Sequence, residues 1–171
     1  MSLDRKLGQV VIRLFSPDEW ELYRAVRLQA LQSDSSAFRA TYEEESLYPE
    51  QKWRDGLSSQ YSAVFGVFYE GDVIGMTAAA VRQSDPTMAS LWGSWLEKDW
   101  RGKGLSEKMY KTRIDWIKKH SSVQTVFVQH YEGNSASRKA ILKCGFIFSC
   151  MKDEKRPDGK SDQQHVYELK I

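Results

Sequence analysis

The chain has little of what marks the common special chemistries. Its 171 residues include two cysteines, Cys144 and Cys150, with no Cys-x-x-Cys and no histidine at ligand spacing from either. That excludes a disulfide framework and suits a reducing compartment, so a cytoplasmic location is expected. Histidine occurs three times, at His120, His130 and His165, never with a second ligand at metal spacing, so no metal is expected. No apolar run approaches the roughly 18 residues of a spanning helix, and Met1–Lys6 lacks the apolar core of a secretion signal. No membrane partner is expected. A formal net charge of +2 is too small to argue for nucleic acid. Internal repeats, low-complexity runs and linkers are also missing. The remaining balance, 41% hydrophobic and 28% charged, is that of an ordinary globular protein. The length suits a single domain over residues 1–171 with a core of its own.

The stretch from Leu91 to Ser106 organises the chain. It reads as an apolar strand ending at Leu96, a basic glycine turn, and the start of a helix carrying Leu105, Met109, Thr112 and Trp116 on one face. Gly102 and Gly104 let backbone approach a ligand without an intervening Cβ. The free N–H groups of the helix's first turn favour an anion, phosphate being the natural guest. The dinucleotide spacing Gly-x-Gly-x-x-Gly fails at Glu107, and a P-loop fails because Leu105 follows Gly104.

Around this stretch the elements alternate. A strand at 10–15 precedes a helix opened by Ser16-Pro17-Asp18-Glu19 and running to about Gln32, with Leu22, Val26 and Ala30 on one face. An irregular helical segment follows to about Ser59. Strands at 61–69 and 73–82 flank the turn Glu70-Gly71-Asp72, and a third runs from Ala89 to Leu96. Beyond the helix come a strand at 125–130, expected to run parallel to its predecessor, a short helix capped at Asn134 or Ser135 and ended by Gly145, and a final hairpin around Pro157-Asp158-Gly159. Strict alternation places Leu91, Gly93 and Trp95 on one face of their strand, with Trp92 and Ser94 on the other.

Arg101-Gly102-Lys103-Gly104-Leu105-Ser106 resembles the acetyl-CoA pyrophosphate loop of the GNAT superfamily of N-acetyltransferases, with Ser106 where glycine or alanine is usual. The segment Asn134 to Phe146 resembles that superfamily's Asn-x-x-Ala-x-x-Leu-Tyr-x-x-x-Gly-Phe. Two such blocks in order, within the element order βααβββαβαββ, extend the resemblance over essentially the whole chain. It implies a mixed α/β fold: a mostly antiparallel sheet of six to seven strands, splayed at its centre. It implies acetyl-CoA as co-substrate, gripped by Trp95 and Leu96 along the strand edge, by Arg101, Gly102, Lys103, Gly104, Leu105 and Ser106 at the loop, and by Asn134, Ser137 and Lys143 beyond it. The implied activity is acyl transfer to a primary amine on a small molecule or peptide. The alternative is a catalytically silent acyl-CoA-binding sensor, which transfer to any amine would exclude. A homodimer is compatible with the resemblance.

No general base stands out. Tyr131 and Glu97 are candidates, as are His130 and Glu43 to Glu45, each with an ordinary surface or packing role as the plainer alternative. Residues 34–55 carry six acids and three bases, which favours a cationic acceptor if that arm borders the cleft. Residues 98–119 carry eight Lys/Arg against three acids, as well explained by the phosphates of CoA as by nucleic acid. Where the family segment carries a tyrosine that protonates departing sulfur, this chain has Ile141.

Overall fold

The computed structural model describes residues 7–120, 122–156 and 159–171. Met1–Lys6 and the Pro157-Asp158 part of the last turn lie outside the described residues. Seven strands form one sheet: β1 (Val11–Leu14), β2 (Ser62–Tyr69), β3 (Asp72–Val81), β4 (Met88–Leu96), β5 (Thr125–Tyr131), β6 (Ile147–Lys155) and β7 (Ser161–Lys170). With them stand the α-helices α1 (Trp20–Ser33), α2 (Tyr42–Ser46), α3 (Glu50–Ser58), α4 (Leu105–Ile117) and α5 (Ser135–Lys143). The strand order is β1-β2-β3-β4-β5-β7-β6, antiparallel throughout except for β4 and β5.

Local chemistry explains the element ends. Ser16 and Glu19 form a capping box that opens the first helical turn, with Pro17 beside it. Glu70 and Gly71 both adopt positive φ between Tyr69 and Asp72, the backbone a two-residue hairpin turn requires. The Asn134 side chain accepts from the Ser137 N–H and caps α5.

Each face of the sheet carries a buried cluster. On one, Phe15, Tyr23, Val26, Leu31, Trp53, Met76, Ala78 and Trp95 pack under α1 and α3. On the other, Leu91, Tyr110, Ile117, Val126, Ile141, Phe146 and Tyr167 pack under α4 and α5. Two helix faces differ from the sequence expectation. In α1 the buried residues are Tyr23, Val26, Arg27, Leu28, Ala30 and Leu31, while Leu22 is exposed. In α4 they are Leu105, Met109, Tyr110, Arg113 and Ile117, with Thr112 and Trp116 at the margin. In both helices a cationic side chain occupies an inward position, which hydrophobicity alone does not predict.

The expected alternation along β4 also fails, for a local reason. The pairing of β3 with β4 shifts between Met76 and Ala78, so Trp95 opposes Met76 and Trp92 opposes Ala78, with two residues between the tryptophans against Thr77 alone. Gly93 takes φ +64 at this bulge. The extra residue restores both tryptophans to one face, where both pack on the α1 cluster. Ser94 instead hydrogen-bonds through its hydroxyl to that of Thr77 at 2.9 Å.

Candidate active site

The parallel pairing of β4 with β5 is short. Met88, Ala89 and Ser90 pair with Thr125, Val126 and Phe127, and there the ladder ends. From Leu91 onward the β5-facing edge of β4 is free, and the two strands diverge. Each subsequent peptide on that edge keeps a group that seeks a partner. A bulge placed at this point twists the strand away from its neighbour.

Two cavities occupy the opening. A cleft of about 330 Å³ is bordered by Ser94, Trp95, Leu96, Arg101, Gly102 and Ser106, and across from them by Tyr110, Asn134, Ser137 and Ala140. A second cavity, of about 520 Å³, is bordered by Arg27, Arg39, Glu44, Leu91, Trp92, Gly93, Gln129, His130, Tyr131 and Gln164. Ala37 and Phe38 border both, so the cavities meet end to end along β4.

The glycine turn stands at the far end of the cleft. Gly102 has φ +72 and Gly104 φ +82, and a Cβ on either would meet nothing within 4 Å. Gly104 is the N-cap of α4 and supplies no side chain to its first-turn N–H groups. An uncapped helix start with open space before it suits a phosphate. The residues present therefore fit the long, anionic arm of CoA: donors at the turn, an unpaired strand edge, and the apolar wall of Met109, Tyr110, Ala136 and Ala140 between them.

The individual candidate residues divide. Trp95, Leu96, Arg101, Gly102, Ser106, Asn134 and Ser137 border the cleft. Leu105 does not, because its side chain is buried with Leu96 and Met109, leaving only its backbone at the helix start. Lys143 lies at the opposite end of α5, paired with Glu107, and borders neither cavity. Lys103 has no acidic partner among the described residues and stands 5.6 Å from the Trp100 ring centroid.

Arg101 needs a different account from the one its motif suggests. Its Nη1 and Nη2 donate to Asp34 at 3.1 and 2.6 Å, and its Nε donates to the Leu96 carbonyl at 2.8 Å. Trp95 Nε1 donates to the same Asp34 carboxylate at 2.7 Å. The guanidinium is thus spent inside the protein, where it ties the end of α1 to the glycine turn. Hydrogen bonds from Arg101, together with those from Trp95 and Ser33, hold the Asp34 carboxyl at about 2, below its usual 3.8.

Of the candidate bases, Glu97 borders neither cavity and lies beyond the Asp34–Arg101 bridge. Both ring nitrogens of His130 are engaged, Nδ1 with the Tyr131 carbonyl at 2.8 Å and Nε2 with the Tyr167 hydroxyl at 3.2 Å. A carbonyl can only accept, so Nδ1 carries a proton and donates it. Among Glu43, Glu44 and Glu45, only Glu44 borders the larger cavity. Glu45 is buried in a bidentate pair with Arg27, both bonds 2.8 Å. Tyr131 does border that cavity, and its buried hydroxyl has no hydrogen-bond partner among the described residues.

Sequence reasoning missed Arg27 and Asp34. The available signal for the first was an arginine within the apolar spacing of α1, with acids some 16 to 18 positions on. Asp34 reads in sequence only as one of the six acids of residues 34–55. Among the described residues no helix is long and apolar enough to cross a membrane, and no group of three His, Cys, Asp or Glu residues is placed to hold a metal.

Comparison with known proteins bears on this geometry. Residues 27–146 match the profile of the acetyltransferase (GNAT) family. A probable spermine N(1)-acetyltransferase of Bacillus subtilis subsp. natto (strain BEST195) is 24% identical over 100 residues, covering 56% of this chain and 66% of that protein. Among solved structures, the ribosomal-protein-S5-alanine acetyltransferase of Vibrio fischeri superposes with a TM-score of 0.78 at 14% identity, covering 95% of this chain and 93% of the other. The microcin C7 self-immunity acetyltransferase, solved with acetyl-CoA and AMP, gives 0.74 at 15% identity and the same coverages.

Proposed function

The chain belongs to the acetyltransferase (GNAT) family, and from that premise we propose that it transfers an acetyl group from acetyl-CoA to a primary amine by direct attack on the thioester. One observation carries the reading: β4 and β5 part directly after Ser90, and the opening runs from the uncapped start of α4 to a second cavity large enough for a small acceptor.

The chain's own groups then have separable tasks. The backbone of residues 102–106 holds phosphate, and the free edge of β4 pairs with the pantetheine arm as an added strand would. The Asp34–Arg101 bridge keeps the turn in register with the arm that borders both cavities. A bound thioester near Gly93 and Ser94 would sit where the two cavities join, open to an amine entering past Phe38. The neutral amine's lone pair forms the new amide bond as the carbon–sulfur bond breaks, the electron pair and finally a proton going to sulfur. Free N–H groups on the β4 edge are placed to favour the oxygen's developing charge.

Among the described residues both ring nitrogens of His130 are hydrogen-bonded, Glu44 is the carboxylate that borders the larger cavity and accepts there from the Tyr48 hydroxyl, and Ile141 supplies no acid. The amine's proton is passed to water, which suits an acceptor that deprotonates readily. A thiol pKa of about 8.5 makes the leaving group tolerable without a proton donor. The test is thiol release from acetyl-CoA across a panel of amines that includes a polyamine, because the curated relative is named for spermine. Thiol release stoichiometric with acetylated amine is expected. Tight acetyl-CoA binding without transfer to any amine would leave a binding module instead.

A further inference from the structure

The larger cavity holds an unmet demand for hydrogen bonds. Arg27 reaches it from the buried face of α1, 6% exposed. Its Nε and Nη2 are used by Glu45, which leaves Nη1 on the opposite edge of the guanidinium. That nitrogen is buried and has no partner among the described residues. The side chain is not free to turn away, since Glu45 fixes one edge while the guanidinium lies 5.1 Å from the Phe38 ring centroid and 5.9 Å from that of Trp92. An ideal Cβ on Gly93 would stand 3.9 Å from Nη1, so the unmet donor lies directly beside the β4 bulge.

Tyr131, on β5, brings a second such group to the lining of the same cavity. It is 5% exposed, its ring is covered by the Arg156 guanidinium at 3.8 Å, and its hydroxyl also lacks a partner among the described residues. Leaving a buried donor unpaired is costly, more so when it is charged. Two such groups bordering one cavity are accounted for when a ligand supplies the missing acceptor.

We propose that this cavity takes a small molecule in which the amine is carried beside a carbonyl or carboxylate oxygen, as in an amino acid or amino-acid amide, with Arg27 Nη1 and the Tyr131 hydroxyl holding that oxygen. This deepens the acetyl-transfer reading and rests on it. The guanidinium can only donate, and so can every nitrogen of a protonated polyamine. A polyamine leaves Arg27 unpaired. An oxygen-bearing amine satisfies the donors and turns its nitrogen toward the junction with the cleft. The Arg27–Glu45 pair is neutral as a unit, so both a carboxylate and an amide oxygen fit. The volume of about 520 Å³ suits a small ligand.

The experiment compares KM for four amines with acetyl-CoA fixed: a free amino acid, its amide, the matching alkylamine without oxygen, and spermidine. Wild type is expected to favour the first two over the last two. The free acid and amide separate a carboxylate from a neutral carbonyl as the preferred group. Tyr131→Phe removes a hydroxyl that no described residue uses, so folding should be kept while KM for the oxygen-bearing amines rises about two- to tenfold, the worth of one neutral hydrogen bond. Arg27→Met with Glu45→Gln removes the buried pair together and avoids stranding either charge. It should raise that KM about 10- to 100-fold, leave KM for acetyl-CoA within twofold, and change alkylamine turnover little. Equal or better use of spermidine by wild type would overturn the proposal while leaving acetyl transfer intact. So would an unchanged amino-acid to alkylamine preference in the folded double variant. Failure of all four amines to accept acetyl, with acetyl-CoA still bound, would count against the acetyl-transfer reading itself.

Discussion

Replacing Gly104 by valine separates the two duties of the glycine turn. Gly104 has φ +82 and ψ 1, a left-handed conformation that costs a residue with a Cβ about 1–2 kcal/mol. Nothing lies within 4 Å of the added Cβ, so strain is the whole cost to the fold. In a chain of this length each kcal/mol lowers Tm by about 2–4 °C, giving an expected fall of about 2–8 °C. The effect on acetyl-CoA should be much larger. The isopropyl group would fill the space before the uncapped N–H groups of α4, and charge-assisted bonds of that kind contribute about 1.5–3 kcal/mol each. Losing two of them costs about 3–6 kcal/mol, or about 10²- to 10⁴-fold in Kd. Gly71 provides the matched control. It has φ +94, a Cβ there also meets nothing within 4 Å, and it stands in the β2–β3 hairpin turn away from the cleft. Titration calorimetry with acetyl-CoA and thermal melts on both valine variants should give similar losses of Tm but a collapsed affinity only at Gly104. A Kd at Gly104→Val within threefold of wild type, with Tm lowered as in the control, would refute the assignment of the turn to phosphate.

Two other outcomes follow from the packing and the bridge. Asp34→Asn should cost about 0.5–1.5 kcal/mol at neutral pH, because the pair is partly solvent-screened, and should loosen acetyl-CoA binding through the displaced turn. The Asp34 carboxyl is depressed from 3.8 to about 2, so its contribution is complete above pH 4 and is lost as pH falls through about 2. The Tm gap between wild type and Asn should therefore be flat from pH 5 to 8 and narrow only below 4, whereas narrowing between pH 7 and 5 would implicate a different group. Ile141→Tyr, which installs the family residue, should destabilise by about 1–3 kcal/mol without raising kcat, since Ile141 is 1% exposed and packed with Tyr110 and Phe146. A faster enzyme of unchanged Tm would show that a hydroxyl at 141 reaches the leaving sulfur.

The order of elements, apart from the split of the irregular helical segment into α2 and α3, the glycine turn, the cap at Ser16 and the choice of Asn134 or Ser135 as the later cap could be read from the sequence because they depend on neighbours a few residues apart. Period-two and near-period-four spacing, proline and positive-φ glycine act locally, and the strand–turn–helix around Gly102 and Gly104 needs nothing distant to be recognised. Tertiary structure decided what those rules cannot express. The bulge at Gly93 depends on pairing with Thr77 in another strand, and it reverses the face of Trp95 that simple alternation assigns. Arg101 carries the phosphate-loop motif, yet its charge is directed by Asp34, 67 residues earlier, once α1 is laid beside β4. Arg27 and Tyr131 are 104 positions apart, and neither is distinctive alone. The splay of β4 from β5 brings them to one cavity, where burial converts two ordinary polar groups into an unmet requirement for a ligand. Local spacing fixes which elements form, but a residue's charge state, partners and exposure come from non-local contacts, and these contacts exist only in the folded chain.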